Sequence, residues 1–252
     1  MTELELRKAI CDVGRRMYTK NLVAATDGNI SIKIGPDRFL VTPSGVCKGD
    51  MAPNDILLTD SRGVKISGAG KVTSEFFTHL AAYEERSDIT AVVHAHPPKA
   101  IGFSVAGVSL AECVLPEVVM SIGGVPTTDY ATPGSKEGYN VIRDLIRQCD
   151  ALMLDRHGAV TVGVTVYDAY FKLEKIEHAA ETLFIARMLG EVRTLSRDEV
   201  EKLAESRKAY GASGKAYTCG GDGCPCKDPC TGKSDSQMDR FISETLRVLG
   251  HG

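Results

Sequence analysis

The stretch "TAVVHAHPP", Thr90 to Pro98, ends an apolar run on two histidines and two prolines. The run reads as a strand, and Pro97-Pro98 stop it because proline cannot continue a ladder. A strand sends alternate side chains to one face, so His94 and His96 project the same way, ~6.6 Å apart along the chain. That spacing suits two ligands of one ion. It also suits a polar cap on a buried strand, and the pair by itself leaves both readings open.

Upstream, Thr2 and Glu5 have the spacing of a capping box, and Leu6, Ile10, Val13 and Met17 follow at helical spacing, which predicts a helix to about Asn21. In "NISIKIGPDRFLVTPSG" the alternating Ile30, Ile32 and Ile34 turn at "GPD" and return through "RFLVT". "DILLTDSRGVKIS" repeats the strand–turn–strand pattern. "TSEFFTHLAAYEE" is expected to be a helix with Phe76, Leu80 and Tyr83 on one face. Downstream, "GVPTTDY" reads as a short strand, and "SKEGYNVIRDLIRQC" as one helix burying Val141, Ile142, Leu145 and Ile146. "ALMLD" and "AVTVG" read as strands around "RHG". A long helix runs from about Val166 to Leu189 and ends at Gly190, and a second capping box, Ser196 with Glu199, starts a helix to about Tyr210. Hairpins mixed with helices, without regular βαβ alternation, predict an α/β fold with helices around a largely antiparallel sheet, in one domain over 1–210.

From Gly211 the chain turns rich in Gly, Cys, Asp and Lys, and 211–252 reads as a C-terminal extension ending in a short amphipathic helix, "SQMDRFISETLRVLG". Cys219, Cys224, Cys226 and Cys230 follow a C-x4-C-x-C-x3-C pattern. Two readings stand for them: a closed thiolate site for a second, structural metal ion, or a metal-free and redox-labile tail. Cys11, Cys47, Cys113 and Cys149 are scattered and read as packing residues.

Composition narrows the function. Of 252 residues, 43% are hydrophobic and 25% charged, an ordinary globular balance. A formal charge of −3 with no basic run gives no footprint for nucleic acid. No apolar stretch approaches ~20 residues, so no membrane span is expected. The N-terminus lacks an apolar h-region, so no signal peptide is read and the cysteines fit a reducing, cytoplasmic setting. "SGAGKVTS" is not a phosphate loop of the nucleotide-binding kind, because Lys65 replaces the first glycine and Val72 follows Lys71.

A catalytic zinc site takes three protein ligands and keeps a fourth position open. Of six histidines, His157 in "DRHGA" sits in a turn between two strands and is the best third ligand. His79 and His178 fall on helices as supporting or core groups, and His251 is terminal. Glu75 opens a helix after "KVTS", where a carboxylate can face a cleft or simply compensate the helix dipole.

The blocks "TDGNISIK", "VTPSG", "KVTSE", "VVHAHPP" and "DRHGAVTVG", in this order over Leu4 to Tyr210, resemble the class II aldolase/adducin family, and within it the L-fuculose-1-phosphate aldolases. The resemblance implies a three-layer α/β/α sandwich and a homotetramer with active sites between subunits. It also implies a zinc ion on His94, His96 and His157, with Glu75 as acid/base. Asn29, Ser44, Gly45, Thr73 and Ser74 match the family's phosphate-binding positions. The implied reaction makes or breaks a C–C bond between dihydroxyacetone phosphate and a short aldehyde, through a zinc-stabilised enediolate. The family's mid-chain tyrosine has no counterpart in "LPEVVMSIGG". Tyr130 lies on another block, and Tyr217 is the candidate for the C-terminal proton donor. Epimerase relatives read "HHGP" where this chain has "RHGA". Dehydratases of methylthioribulose phosphate and decarboxylases of oxo-tetronate phosphates keep the histidines and stay open as alternatives. Non-catalytic adducin-type binding proteins lack the set that is intact here.

Overall fold

The structure, a computed structural model, describes residues 1–209 and 214–217. Its centre is a seven-stranded sheet in which every neighbouring pair is antiparallel. The strands are β1 (Asn29–Gly35), β2 (Arg38–Val41), β3 (Leu57–Thr59), β4 (Lys65–Ser67), β5 (Ala91–Ala95), β6 (Ala151–Leu154) and β7 (Gly158–Gly163), in the order β4-β3-β2-β1-β5-β7-β6. The two hairpins and the β6–β7 pair lie where alternation and turn residues predict them.

Strand alternation separates two apolar layers. Ile30, Ile32, Ala91, Val93 and Ala95 face a core shared with α1 (Glu3–Thr19), α3 (Pro98–Val105) and α7 (Val166–Leu189). Phe39, Val41, Val92, Val160 and Val162 face the opposite core, shared with α2 (Phe76–Glu85), α5 (Lys136–Val141) and α6 (Arg143–Ile146). Helices on both faces of one antiparallel sheet make the expected three-layer sandwich. The helix starts obey their caps. Thr2 and Glu5 form a reciprocal capping box on α1, and Ser196 and Glu199 exchange bonds before α8 (Arg197–Ala209). The long helix α7 spans the residues expected and ends on Gly190, at φ +149°.

One local expectation is extended and two are corrected. Pro97-Pro98 ends the strand but also begins α3, with Pro98 in the first helical position, where its missing N–H costs nothing. Pro116 opens α4 (Pro116–Ser121) in the same way. "GVPTTDY" is not a strand. It makes isolated bridges, Leu110 to Val125 and Thr127 to Met153, because Pro126 has no N–H to extend a ladder. The segment from Lys136 is two short helices separated at Ile142; Gly138, Asn140 and the β-branched Val141 and Ile142 are all weak helix formers. Ile142, Leu145 and Ile146 are buried as expected, and Val141 only partly.

Tyr217, the last described residue, is 3% exposed within the α2-side core, and its backbone bridges Gly123 and Gly124. A Cβ on Gly123 would lie 2.0 Å from the Tyr217 carbonyl oxygen, so the glycine permits the approach. Gly214 lies against Asp150 in the same way, and Arg207 of α8 donates to the Gly214 carbonyl at 2.9 Å. Residues 214–217 thus run along the surface of the domain and enter its core only at Tyr217. Cys219, Cys224, Cys226 and Cys230, with the expected terminal helix, lie outside the described residues.

At the end of β6 remote from its hairpin turn, Asp150 is 1% exposed and accepts from two buried cations. Arg86 donates to it at 2.8 Å and Lys172 at 2.9 Å. Arg86 also donates to the carbonyls of Ile146 and Cys149, tying α2 to α6. Removing the shared carboxylate leaves two cations without their buried partner, an arrangement that costs about 3–5 kcal/mol. Asp150→Ala should therefore lower the unfolding free energy measured in urea by an amount in that range, while Arg62→Ala, which removes an exposed cation and leaves Asp60 its two backbone N–H bonds, should stay within ~1 kcal/mol.

Candidate active site

Three strands bring the predicted ligands together. In the β1–β5 pair Asn29 lies opposite His94, and in the β5–β7 pair His94 lies opposite Val160 and Ala95 opposite Ala159. The β6–β7 turn holds His157 one residue before Gly158, so it comes down beside the end of β5. The three imidazole rings stand as a near-equilateral triangle, with centroids 4.8 to 5.0 Å apart. Arg156, just before His157, adopts φ +52°, a left-handed turn that a non-glycine residue seldom takes.

Hydrogen bonds fix which nitrogens face inward. His94 Nδ1 donates to the Ala159 carbonyl at 3.0 Å, and His96 Nδ1 lies 3.4 Å from Asp27 Oδ2. Each ring therefore turns an Nε2 lone pair toward the centre, and these two nitrogens are 3.1 Å apart. Tetrahedral bonds of ~2.0–2.1 Å to one ion require nitrogens ~3.3 Å apart. Burial pushes His94 down to about 4 and His157 below its usual value, so neither ring carries a proton in the way of a metal near neutral pH.

Glu75 completes the group. Its Oε2 is 3.3 Å from His94 Nε2 and its Oε1 is 3.2 Å from His157 Nε2. Burial works to raise its pKa, but the charged forms of the His94 and His157 rings and an amide bond from Asn29 outweigh it and hold the carboxyl below its ordinary value. Lone pairs on carboxylate and imidazoles thus converge on one point, which a divalent cation would resolve. Among the described residues His94, His96 and His157 are the cluster whose ligand atoms could hold an ion. Glu75 sits at the N-cap position of α2, and its side chain makes no capping bond to that helix.

The five expected phosphate positions divide. Ser44 and Gly45 are exposed in a loop held to the next by Ser44 N–H donating to the Lys71 carbonyl at 2.9 Å. Gly45, at φ +72°, has no atom within 4 Å of a built Cβ, so its backbone is open to a ligand. Thr73 and Ser74 follow in the facing loop, half-buried and exposed, immediately before Glu75. Asn29, by contrast, is 3% exposed and bonds Glu75 through Nδ2 at 2.8 Å and His79 through Oδ1 at 2.5 Å. A cleft beside Glu75 and His157 is lined by Thr78, Thr128, Pro133 and Gly134. Tyr130 lies at the other side of this loop, exposed, with the Arg156 guanidinium 4.9 Å from its ring centroid. His178 is exposed on α7.

Several partners escape sequence reasoning. Asp27 lies inside the "TDGN" block, but nothing in the spacing links it to His96. Lys48 is 1% exposed, and its Nζ donates to the carbonyls of Thr26 and Val46, tying the loop before β1 to the loop after β2. Gly158 was legible only as part of a turn. A Cβ there would meet the Ala95 carbonyl at 2.4 Å, His96 Cδ2 at 2.8 Å and His94 Cε1 at 3.0 Å.

The chain belongs to the class II aldolase and adducin N-terminal domain family, whose profile matches residues 8–184. It is 32% identical over 212 residues to the 5-methylthioribulose-1-phosphate/5-deoxyribulose-1-phosphate aldolase of Rhodospirillum rubrum, covering 83% of this chain and 94% of that protein. It is 32% identical over 184 residues to the 3-oxo-tetronate 4-phosphate decarboxylase of Cupriavidus necator, covering 71% of this chain and 84% of that one. Among solved structures, an L-fuculose 1-phosphate aldolase superposes with a TM-score of 0.75 at 26% identity, over 81% of this chain and 96% of that chain.

Gly158→Ala should weaken binding of a divalent ion by about 10–100-fold, the range for displaced support around metal ligands. Titration of metal into apo-protein, followed by a competing chelating dye, measures this; wild-type affinity in the alanine variant would show that the ligand rings tolerate the intrusion.

Proposed function

We propose that this protein is a divalent-metal-dependent aldolase, with zinc as the metal, that splits a ketose 1-phosphate into dihydroxyacetone phosphate and a short aldehyde, or runs the reverse. The convergence of Glu75 on two of three ligand-oriented histidines carries the reading. His94, His96 and His157 would hold the ion, which when bound supplies Lewis-acid stabilisation of negative charge developing beside the substrate carbonyl. Glu75 moves the proton at the carbon alpha to that carbonyl, and its ionised state suits it to act first as base in condensation. Ser44, Gly45, Thr73 and Ser74 offer short hydroxyl and backbone donors for the phosphate, which fixes the reacting carbon against Glu75. The buried lysines are committed elsewhere, Lys48 to two carbonyls and Lys172 to Asp150, Asp168 and Val162, so neither is placed as a Schiff-base amine.

Fuculose-phosphate-type substrates fit this reading through the structural neighbour, and 5-deoxyribulose-phosphate types through the R. rubrum relative. A homotetramer is proposed with it; Phe184, Ile185, Met188 and Leu189 leave an apolar, exposed face at the end of α7 for a neighbouring copy. A reducing, cytoplasmic setting is consistent with Cys11, Cys47 and Cys149 being free thiols. Among the described residues no helix is long and apolar enough to cross a membrane. The second reading, decarboxylation of a 3-oxo acid phosphate, is favoured by the C. necator relative. It uses the same charge stabilisation but breaks a bond to carboxylate rather than to an aldehyde carbon.

Incubation of the purified protein with dihydroxyacetone phosphate and a panel of short aldehydes should give ketose 1-phosphate, abolished by chelator and restored by zinc. Glu75→Gln should lower turnover at least ~100-fold, as loss of a general acid/base does, with metal content intact. Failure with every aldehyde, together with CO2 release from a 3-oxo-tetronate phosphate, moves the assignment to the decarboxylase.

Tyr217 enters as the proposed proton donor to the aldehyde oxygen. Tyr217→Phe should then cost turnover ~10²-fold at unchanged Tm. Turnover like the wild type would leave the residue its packing against Gly123 and Gly124 alone.

A further inference from the structure

Two periodicities meet behind Glu75. On β1, Asn29 and Ser31 share a face because side chains alternate; on α2 and its cap, Glu75, His79 and Tyr83 stack at intervals of four. Their polar atoms join in one buried line. Tyr83 Oη is 2.8 Å from Ser31 Oγ, and Ser31 Oγ is 2.7 Å from His79 Nδ1. His79 Nε2 reaches Asn29 Oδ1, and Asn29 Nδ2 reaches Glu75 Oε2. Ser31 and His79 are fully buried and Tyr83 nearly so.

The chemistry of each group allows one direction through this line. An ionised carboxylate only accepts, so Asn29 must present its NH2 end to Glu75 and its oxygen to His79. That oxygen also only accepts, so His79 must carry its hydrogen on Nε2. Burial depresses His79 to about 3, which keeps the ring neutral and leaves Nδ1 a lone pair. Ser31 therefore donates to Nδ1, and the Tyr83 hydroxyl hydrogen is shared between Ser31 Oγ and the Ser31 carbonyl at 3.0 Å. From Ser31 onward every donor points toward Glu75, an arrangement in which successive bonds polarise one another.

We propose that His79 is a positioning residue for the acid/base: it locks the Asn29 amide so that one N–H grips Glu75 and the second is turned to the substrate's phosphate side. Asn29 then couples the group that holds the phosphate to the group that moves the proton. This rests on the aldolase reading for its kinetic consequence, but not for its hydrogen-bond polarity. It also gives the buried pattern Asn-x-Ser on the strand and Glu-x3-His-x3-Tyr on the helix a role beyond core packing.

The test uses the zinc-loaded full-length protein. His79→Phe keeps a flat ring but removes the donor, and should lower kcat about 10–100-fold with metal content and Tm near wild type. His79→Gln, which can still donate to Asn29, should recover part of the loss. In an Asn29→Ala background His79→Phe should have no further effect, because its action passes through Asn29. Equal losses in both backgrounds would overturn the proposal and leave His79 a packing residue. A nitrogen-15 NMR spectrum of histidine-labelled wild-type protein should show His79 neutral, protonated on Nε2, at pH 6. Protonation on Nδ1, or a charged ring, overturns the proposal even if His79→Phe does not fold. The same spectrum separates the two readings: the expected tautomer in a protein that condenses no aldehyde would remove the aldolase assignment and keep the positioning role.

Discussion

The site depends on the antiparallel register of β1, β5 and β7. Asn29 opposes His94, and Ala95 opposes Ala159, so the hydrogen-bond partner of Glu75, His94, His96 and the turn that bears His157 arrive at one end of three adjacent strands. A strand slipped by one residue would turn its whole set of side chains to the other face. The apolar layers guard against this, because Val93 and Ala95 belong to one core and Val92 to the other. Core packing and ligand placement are therefore set by the same alternation. The glycine at 158 is the steric condition for closing that register, since the β6–β7 turn must pass against both imidazoles of the β5 end.

Much of this was legible in the sequence, for identifiable reasons. Hairpins, capping boxes and the long α7 announce themselves through local rules that act within a few residues. The histidine triad was legible in part: strand alternation placed His94 and His96 together, while His157 and Glu75 gained their standing from block order. The failures are equally local. Pro97-Pro98 stops the strand as its sequence predicts, and what the sequence reading lacks is that the same ring geometry opens a helix. "GVPTTDY" has strand-like residues, yet one missing N–H at Pro126 reduces it to bridges.

What spacing could not supply was orientation. The sequence points Asn29 at phosphate, but not at the two bonds within the protein that take its oxygen and one of its two amide hydrogens. His79 read as a supporting or core group, and both descriptions hold, but its direction of donation follows only from atoms on two different elements. Asp27 and Lys48 were invisible for the same reason: their partners, a ring nitrogen and two carbonyls, lie across loops that no pattern of residue types links. The buried charges around Asp150 show the complementary case. They lie at the far end of β6 and hold the layers together without entering the chemistry.

The position of Glu75 has a thermodynamic consequence. An N-cap side chain ordinarily satisfies an orphan N–H of its own helix, and a good cap contributes ~1 kcal/mol over a residue that makes no such bond. Glu75 makes none, because its carboxylate is turned toward the imidazoles. Helix α2 therefore begins without the side-chain cap that Thr2 gives α1 and Thr165 gives α7. Glu75, at φ −94° and ψ 8°, also lacks the extended backbone of a capping residue, so a shorter Ser or Asp there would vacate the point where the histidines converge without regaining the bond. The first turn of α2 is thus tied to the histidine cluster and Asn29 rather than to a cap of its own.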